Sequence, residues 1–240
     1  MPHSAPPPPA SLLQSHHSQA HPPSARPSRA LDAPIHRRYE PYWDHFYDGA
    51  SPMSPTPFAQ YAAQFWFPQP TNILELGCGN GRDASWFASR GHAVVGVDLS
   101  ESAIGACCRQ QSGATFQQGD FSKLDLDQKF SVIYSRFTLH SIDAPTESRT
   151  LEMVRKHLAP GGRFVVEART IYDELCGRGT RVSDREWIYE NHYRRFLDPV
   201  DLLSSAREFG FAPEFILMNR GLALWKDQDP VVIRLSLAIA

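Results

Sequence analysis

The segment that most constrains the fold is an apolar run that breaks into three alternate glycines, Ile73-Leu74-Glu75-Leu76-Gly77-Cys78-Gly79-Asn80-Gly81. The run predicts a buried parallel strand, and residues 82–89 predict the helix that follows it. Glycines at such a turn let the backbone bend sharply and approach a ligand, and the helix N-terminus offers free N–H groups. This edge of an open α/β sheet is where nucleotide-like ligands bind.

Apolar runs and helical patterns then alternate along the chain, which predicts an α/β fold with a doubly wound, mostly parallel sheet. The predicted strands are 73–76, 93–97, 114–117, 131–135 and 163–168, and the predicted helices are 82–89, 101–111, 147–158 and 198–208. Two C-terminal apolar runs, 215–225 and 231–239, would add an antiparallel pair. The result is a seven-stranded, Rossmann-like sheet.

Two parts of the chain flank this predicted core. Residues 1–36 hold nine prolines and predict a disordered Pro/Ser/His-rich tail, so that the domain would span 37–240. The tail has no acidic residue before Asp32, as in transit peptides, although its proline density disfavours the helix they need. Residues 37–70 predict two aromatic helices, which either pack on the sheet or form a lid over the site.

Composition narrows the classes of partner. A net charge of −2 and a pI near 6.5 give no electrostatic reason to expect nucleic acid or an anionic membrane. No apolar run approaches the roughly 20 residues of a membrane helix, and no secretory signal is recognisable. The four cysteines follow neither a disulfide framework nor a zinc spacing, so we expect a cytoplasmic protein without a metal. A homodimer is left open.

Three further motifs follow the glycine loop in order. Asp98 ends the second strand 17 residues after Gly81, Gly119-Asp120-Phe121 follows the third strand, and Leu158-Ala159-Pro160-Gly161-Gly162 enters the fifth. Together with Glu75 and the glycines, they resemble the class I S-adenosylmethionine-dependent methyltransferases over residues 73–240. A dinucleotide-binding loop would be G-x-G-x-x-G, whereas here the third glycine arrives one residue early.

The resemblance implies S-adenosyl-L-methionine as the cofactor and assigns residues to its parts. Glu75 would orient the glycine loop and the methionine end, and Asp98 would hold the ribose. The adenine would lie against Leu99, Asp120 and Phe121. The full set of expected cofactor-binding residues is Glu75, Gly77, Cys78, Gly79, Gly81, Asp98, Leu99, Asp120, Phe121 and Arg136.

The acceptor is a small molecule according to the same resemblance. After the fourth strand, residues 134–140 read Tyr-Ser-Arg-Phe-Thr-Leu-His, without the Asn/Asp-Pro-Pro-Tyr of enzymes that methylate the amino groups of adenine or glutamine. Residues 135–141, 167–169 and 192–196 instead resemble a small-molecule branch that includes fungal carboxyl O-methyltransferases. The partner would then be a small organic acid.

Arginines support an anionic acceptor independently of the resemblance. Arg136 and Arg169 follow strands four and five, and the insertion 170–197 adds further arginines, among them Arg194, as a second wall of the substrate site. Arginine can bind a carboxylate through two parallel hydrogen bonds. We therefore predict His140, Arg136, Arg169 and Arg194 as catalytic residues. The predicted substrate-binding residues are Tyr42, Trp43, His140, Arg169, His192, Tyr193, Arg194 and Arg195.

His140 separates the alternative reactions. With a carboxylate acceptor, which is ionised at pH 7, His140 would only position the acceptor. With a hydroxyl acceptor, it would act as the general base. It could also simply cap the following helix. A nicotinamide-dependent oxidoreductase and a non-catalytic cofactor-binding protein are the remaining alternatives.

Overall fold

The structure is a computed structural model that describes residues 33–49 and 53–240. The predicted tail, 1–36, therefore lies outside the described residues except at its last four positions. These belong to the ordered part, because a first helix, α1, runs from Ile35 to Arg38 and buries the side chain of His36. The predicted boundary at residue 37 falls inside this helix.

A seven-stranded sheet with helices on both faces forms the body of the molecule. The remaining helices are α2 (Glu40–Tyr47), α3 (Pro57–Phe65), α4 (Arg82–Ser89), α5 (Glu101–Arg109), α6 (Ala144–His157) and α7 (Pro199–Glu208). The strands are β1 (Asn72–Leu76), β2 (Ala93–Asp98), β3 (Thr115–Gln118), β4 (Phe130–Arg136), β5 (Leu158–Arg169), β6 (Thr180–Ser183), β7 (Glu186–Tyr189), β8 (His192–Arg195), β9 (Phe211–Asn219) and β10 (Val232–Ile239).

Strand order gives the doubly wound topology. The large sheet runs β3-β2-β1-β4-β5-β10-β9, with parallel pairing from β3 to β5 and antiparallel pairing of β10 to both of its neighbours. The predicted Rossmann-like α/β fold with seven strands is thereby confirmed. The insertion 170–197 forms a separate three-stranded antiparallel sheet, β6-β7-β8.

Several element boundaries differ from the sequence prediction for local reasons. Helix α6 begins at Ala144 instead of residue 147, because the Asp143 side chain caps it by accepting a hydrogen bond from the Thr146 N–H. The first C-terminal strand was predicted at 215–225 but lies at 211–219. It ends early because Gly221 enters a turn with a φ of 74° that the Asp229 side chain holds.

The two predicted N-terminal helices have different roles. Phe58, Ala59 and Ala62 of α3 are fully buried in the core on the face of the sheet that α4 covers, so α3 is a packing helix. Helix α2 buries none of its residues fully. Its Asp44 accepts hydrogen bonds at the start of α5, from the Ser100 hydroxyl (2.6 Å) and the Ser102 N–H (3.3 Å). Of these two helices, α2 is therefore the one that borders the predicted site.

None of the helices within 33–49 and 53–240 is both long and apolar enough to cross a membrane.

Candidate active site at the carboxyl edge of the sheet

The glycine loop after β1 needs glycine at each of its alternate positions. Gly77, Gly79 and Gly81 have φ values of 66°, 54° and 75°, in the left-handed region that side chains disfavour. A Cβ at Gly77 would lie 2.2 Å from the Thr138 side chain, and one at Gly79 would lie 2.4 Å from the Tyr47 hydroxyl. The absence of side chains at these positions therefore lets Thr138 and Tyr47 pack directly against the backbone of the loop.

Asp98 fastens the glycine loop to the next strand. One carboxylate oxygen accepts a hydrogen bond from the Gly79 N–H (2.8 Å), and the other accepts one from the Ser100 N–H (2.9 Å). Burial raises the pKa of Asp98, and these backbone N–H groups oppose the rise. Leu99 follows directly and is partly buried. The carboxylate thus lies beside the glycine loop, where the resemblance places a ribose.

Glu75 carries an unpaired polar atom beneath the same loop. Its side chain is 4% exposed, and its Oε2 has no hydrogen-bond partner among the described residues. Burial and the nearby Asp83 carboxylate raise the pKa of Glu75 well above its ordinary value. A buried acceptor without a donor is unfavourable, so this site fits a ligand that supplies a polar hydrogen.

Asp120, the expected adenine contact, is occupied by the protein itself. Its Oδ2 lies 3.1 Å from His36 Nε2 and 3.5 Å from the Arg37 guanidinium, and its Oδ1 accepts from the Ser122 N–H and hydroxyl. Burial raises the pKa of Asp120, but the hydrogen bonds from His36 and Ser122 outweigh it, so the pKa lies below its ordinary value. The α1 segment therefore covers Asp120, whose adenine role stays a prediction.

Phe137 lies against both arginines that follow β4 and β5. It holds a left-handed φ of 58°, which non-glycine residues adopt uncommonly. The guanidinium carbons of Arg136 and Arg169 lie 4.2 Å and 5.5 Å from its ring centre. Arg136 also donates to Glu167 (3.0 Å), whose other oxygen accepts from Arg234 (2.7 Å).

His140 is held as a neutral hydrogen-bond donor. Its Nδ1 accepts a hydrogen bond from the Arg169 backbone N–H at 3.3 Å, which leaves the ring proton on Nε2. Burial, followed by the charges of Arg169, His192 and Arg194, lowers the pKa of His140 well below its ordinary value. This imidazole is therefore a poor acceptor of a further proton.

Strand β8 sends alternate residues to opposite sides. His192 and Arg194 lie close enough to His140 to lower its pKa. Tyr193 instead stacks on Tyr39 at 6.0 Å, and Arg195 donates to the Ile142 carbonyl (3.0 Å) and to the Glu147 carboxylate. Four residues of β8 were predicted to bind the substrate, and of these only His192 and Arg194 lie near His140. Together with Arg169, these three residues form the cluster described below.

Aromatic rings of α2 cover this cluster. The Tyr42 ring stacks on the His192 imidazole at 4.8 Å, and Trp43 meets it edge-on at 4.7 Å. Burial, followed by the charges of Arg194 and Arg169, lowers the pKa of His192 to about 3. The buried His192 Nε2 has no hydrogen-bond partner among the residues that the structure describes.

The two arginines of the cluster differ in their internal partners. Arg169 donates to Asp173 (2.9 Å) and to the Gln228 side chain (2.8 Å). Arg194 donates to the Tyr189 carbonyl (3.1 Å) and has no ion pair within the described part of the chain. The carboxylates of Asp173 and Glu190 both act on Arg194, but only that of Asp173 is buried.

Sequence reasoning missed four residues of the site. Phe137 lies within residues 134–140 and Tyr47 within the first predicted aromatic helix, but nothing in the sequence marks these two side chains as part of the site. Arg82 does carry a usable signal, because it directly follows the third glycine. Gln228 carried none, because only the fold of the loop before β10 brings it to Arg169.

Comparisons with known proteins identify the family of the chain. The family model described as a methyltransferase domain matches residues 51–214. A dTDP-3-amino-3,4,6-trideoxy-alpha-D-glucopyranose N,N-dimethyltransferase of Streptomyces venezuelae is 30% identical over 42% of this chain and 43% of its own length. A fatty-acid O-methyltransferase of Mycolicibacterium smegmatis is 35% identical over 42% of this chain and 38% of its own length. The chain thus spans about half or less of the length of the curated relatives it matches.

A solved structure extends the likeness to most of the fold. The glycopeptide N-methyltransferase MtfA, complexed with (S)-adenosyl-L-methionine, superposes with a TM-score of 0.62 at 20% identity, over 80% of this chain and 97% of its own. The family model alone covers more than half of the chain. The protein is therefore a methyltransferase-domain protein, as the resemblance of its motifs to the class I S-adenosylmethionine-dependent methyltransferases predicts.

Proposed function

We propose that the protein is an S-adenosyl-L-methionine-dependent O-methyltransferase of a small organic acid and forms a methyl ester at a carboxylate. The observation that carries this proposal is the setting of His140, whose Nδ1 accepts a hydrogen bond from the Arg169 backbone N–H and whose pKa burial lowers well below its ordinary value. An acceptor that must lose a proton needs a base with a free lone pair, which this ring does not offer. A carboxylate needs none.

The charge of the cluster favours the same acceptor. Arg169 and Arg194 face one buried carboxylate, Asp173, while the second nearby carboxylate, Glu190, is exposed, so an acidic acceptor would meet two guanidinium groups in the buried part of the site. The same two guanidinium groups would repel an ammonium acceptor, although one curated relative is an N,N-dimethyltransferase. The relative that is a fatty-acid O-methyltransferase has an acidic substrate by its name.

The residues divide the work as follows. The glycine loop with Glu75 and Asp98 would hold the cofactor, which supplies an activated methyl group. Arg169 and Arg194 would bind and orient the acceptor, and the His140 Nε2–H would donate a hydrogen bond to it. Tyr42 and Trp43 would exclude water from the reacting oxygen, so that catalysis rests on alignment and desolvation.

The first test is a screen of small mono- and dicarboxylic acids with methyl-labelled cofactor, followed by alkaline treatment of the product. A methyl ester releases labelled methanol in mild alkali, whereas a methyl ether or an N-methyl amine does not. We expect release. A stable labelled product would contradict the carboxylate acceptor.

The pH–rate profile then separates the two O-methylation mechanisms. With a carboxylate acceptor, turnover should be flat from pH 6 to 9, and His140→Asn should lower it without changing that shape. With a hydroxyl acceptor and His140 as base, the wild-type rate should rise with one ionisation, and His140→Asn should cost about 10²–10⁴-fold and remove that ionisation. His45→Asn, on the exposed part of α2, is the matched control.

A further inference from the structure

Gln228 is a polar residue beside the acceptor cluster that has no task in the proposed mechanism. It lies in the loop between β9 and β10, and its amide oxygen accepts a hydrogen bond from Arg169 Nη2 at 2.8 Å. A guanidinium group only donates hydrogen bonds, so the oxygen of this amide is the atom that faces it. The contact joins two residues that stand 59 positions apart in the chain.

Backbone contacts hold the loop that carries Gln228. The Trp225 N–H donates to the Gln228 carbonyl at 3.0 Å, and the Gln228 N–H donates to the Trp225 carbonyl at 2.9 Å, which closes a tight turn. The Asp229 carboxylate accepts a hydrogen bond from the Gly221 N–H at 2.6 Å and closes the base of the loop. The Gln228 side chain therefore projects from a closed backbone frame.

Arg169, the partner of Gln228, is held by three contacts of its guanidinium group. Nη1 donates to the Asp173 carboxylate at 2.9 Å, Nη2 donates to Gln228, and the guanidinium carbon lies 5.5 Å from the Phe137 ring centre. The backbone N–H of Arg169 donates to His140 Nδ1, and the His140 ring meets the same Phe137 ring at 5.0 Å. Arg169 is thus fixed beside His140, where the proposed acceptor would bind.

The two polar partners of Arg169 differ in charge. The Asp173 side chain is fully buried, and its other oxygen accepts the Leu175 N–H at 2.8 Å. Asp173 and Arg169 therefore form a buried ion pair without net charge. Gln228 adds a hydrogen bond at the second nitrogen but adds no charge. A carboxylate in its place would put two negative groups on one guanidinium, and the resulting negative charge would repel an acidic acceptor.

We propose that Gln228 is a specificity-determining residue for the acceptor, because it orients Arg169 without adding a second negative charge to it. It is a positioning residue that acts through Arg169. Its substitution by a charged residue should therefore change the affinity for acids and leave the affinity for uncharged molecules of the same shape. The proposal rests on the proposed function, since it concerns an acidic acceptor.

The test gives Arg169 a second carboxylate. Gln228→Glu keeps the size of the side chain and adds one negative charge. The probe is whichever of acetate, succinate, benzoate and octanoate the wild type methylates fastest. We expect Gln228→Glu to raise the KM for that acid about 10–100-fold at a nearly unchanged kcat. Its melting temperature should be no lower, since an ion pair replaces the hydrogen bond. Inhibition by the uncharged amide of the same acid should be unchanged.

Two further variants separate charge from packing. Gln228→Leu loses the amide without adding a charge, so it should raise the KM for the acid less, by about 3–10-fold, because Arg169 loses one hydrogen bond. Gln64→Glu makes the same chemical change on the exposed part of α3, away from the site, and should behave as the wild type.

Several results would overturn the role of Gln228 alone. An unchanged KM in Gln228→Glu would mean that this position does not set the charge near the acceptor. Equal losses in Gln228→Glu and Gln228→Leu, or for the acid and its amide, would mean a purely structural role. A lowered melting temperature of Gln228→Glu would mean that no ion pair with Arg169 forms. Wild-type protein that methylates none of the four acids would instead overturn the proposed function, and the role of Gln228 with it.

Discussion

The two halves of the active site are built by different means. In the half that follows β1 and β2, the Asp98 carboxylate accepts hydrogen bonds from the backbone N–H groups of Gly79 and Ser100, which lie within 20 residues of it in the chain. In the half that follows β4 and β5, side chains converge from α2, the loop at 136–140, β8 and the loop before β10. The first kind of site is encoded in local spacing, whereas the second exists only once distant elements have packed.

Asp98→Ala should give the largest loss of binding affinity. This one side chain anchors the glycine loop, and it would also contact the cofactor. We expect S-adenosylhomocysteine binding to weaken by roughly 1.5–3 kcal/mol, measured by calorimetry. Asp125→Ala, which removes an exposed partner of Lys156, is the control. If Asp98→Ala retained wild-type affinity, the first half would not depend on this anchor and the contrast between the halves would fail.

Arg194→Lys and Arg195→Lys sharpen the contrast within the second half, where neighbouring residues face opposite sides of β8. Arg194→Lys should lower kcat/KM for the acceptor about 10-fold at unchanged melting temperature, because lysine cannot make a two-pronged contact. Arg195→Lys should instead destabilise the fold by about 1 kcal/mol, since it loses bonds to Ile142 and Glu147. Matching behaviour of the two variants in kinetics and thermal unfolding would show that strand alternation does not separate them.

The smallest predicted effect comes from the protonation of His192, and it is measured as a change in the free energy of unfolding with pH. Its pKa is lowered to about 3 in the folded protein, so the unfolded chain takes up the proton first as the pH falls. This group therefore leaves the free energy of unfolding unchanged above about pH 6.5, the pKa of histidine in the unfolded chain. It lowers the free energy of unfolding progressively as the pH falls from there toward 3. Between pH 6.5 and 5.5, this group alone should remove about 1 kcal/mol from the free energy of unfolding.

Urea unfolding at the two pH values measures that loss. His192→Asn should lose about 1 kcal/mol less than the wild type over this interval, whereas exposed His45→Asn should behave as the wild type. Equal losses in His192→Asn and the wild type would show that the imidazole is not held neutral in the folded protein.

The sequence predicts the first half well because its signals are local. Alternating apolar runs predicted the seven strands, and the spacing from the glycines to Asp98 predicted that this carboxylate lies beside the glycine loop, as the structure has it. The predicted element boundaries were wrong where a single capping side chain or turn sets them, as at Asp143 before α6 and at Gly221 after β9. For the second half, the residue types were informative but their directions were not, since the pleat turns Tyr193 and Arg195 away from the cluster.

Helix α2 has a consequence for how the two halves communicate. Its Tyr47 covers Gly79 at one end, and its Tyr42 stacks on His192 nearer the other. A ligand that shifted α2 to displace Tyr47 would also shift the Tyr42 ring, and the two binding positions would then share a coupling free energy. Thermodynamic linkage would make such coupling reciprocal, so that a spent cofactor and a methylated product would each change the affinity for the other.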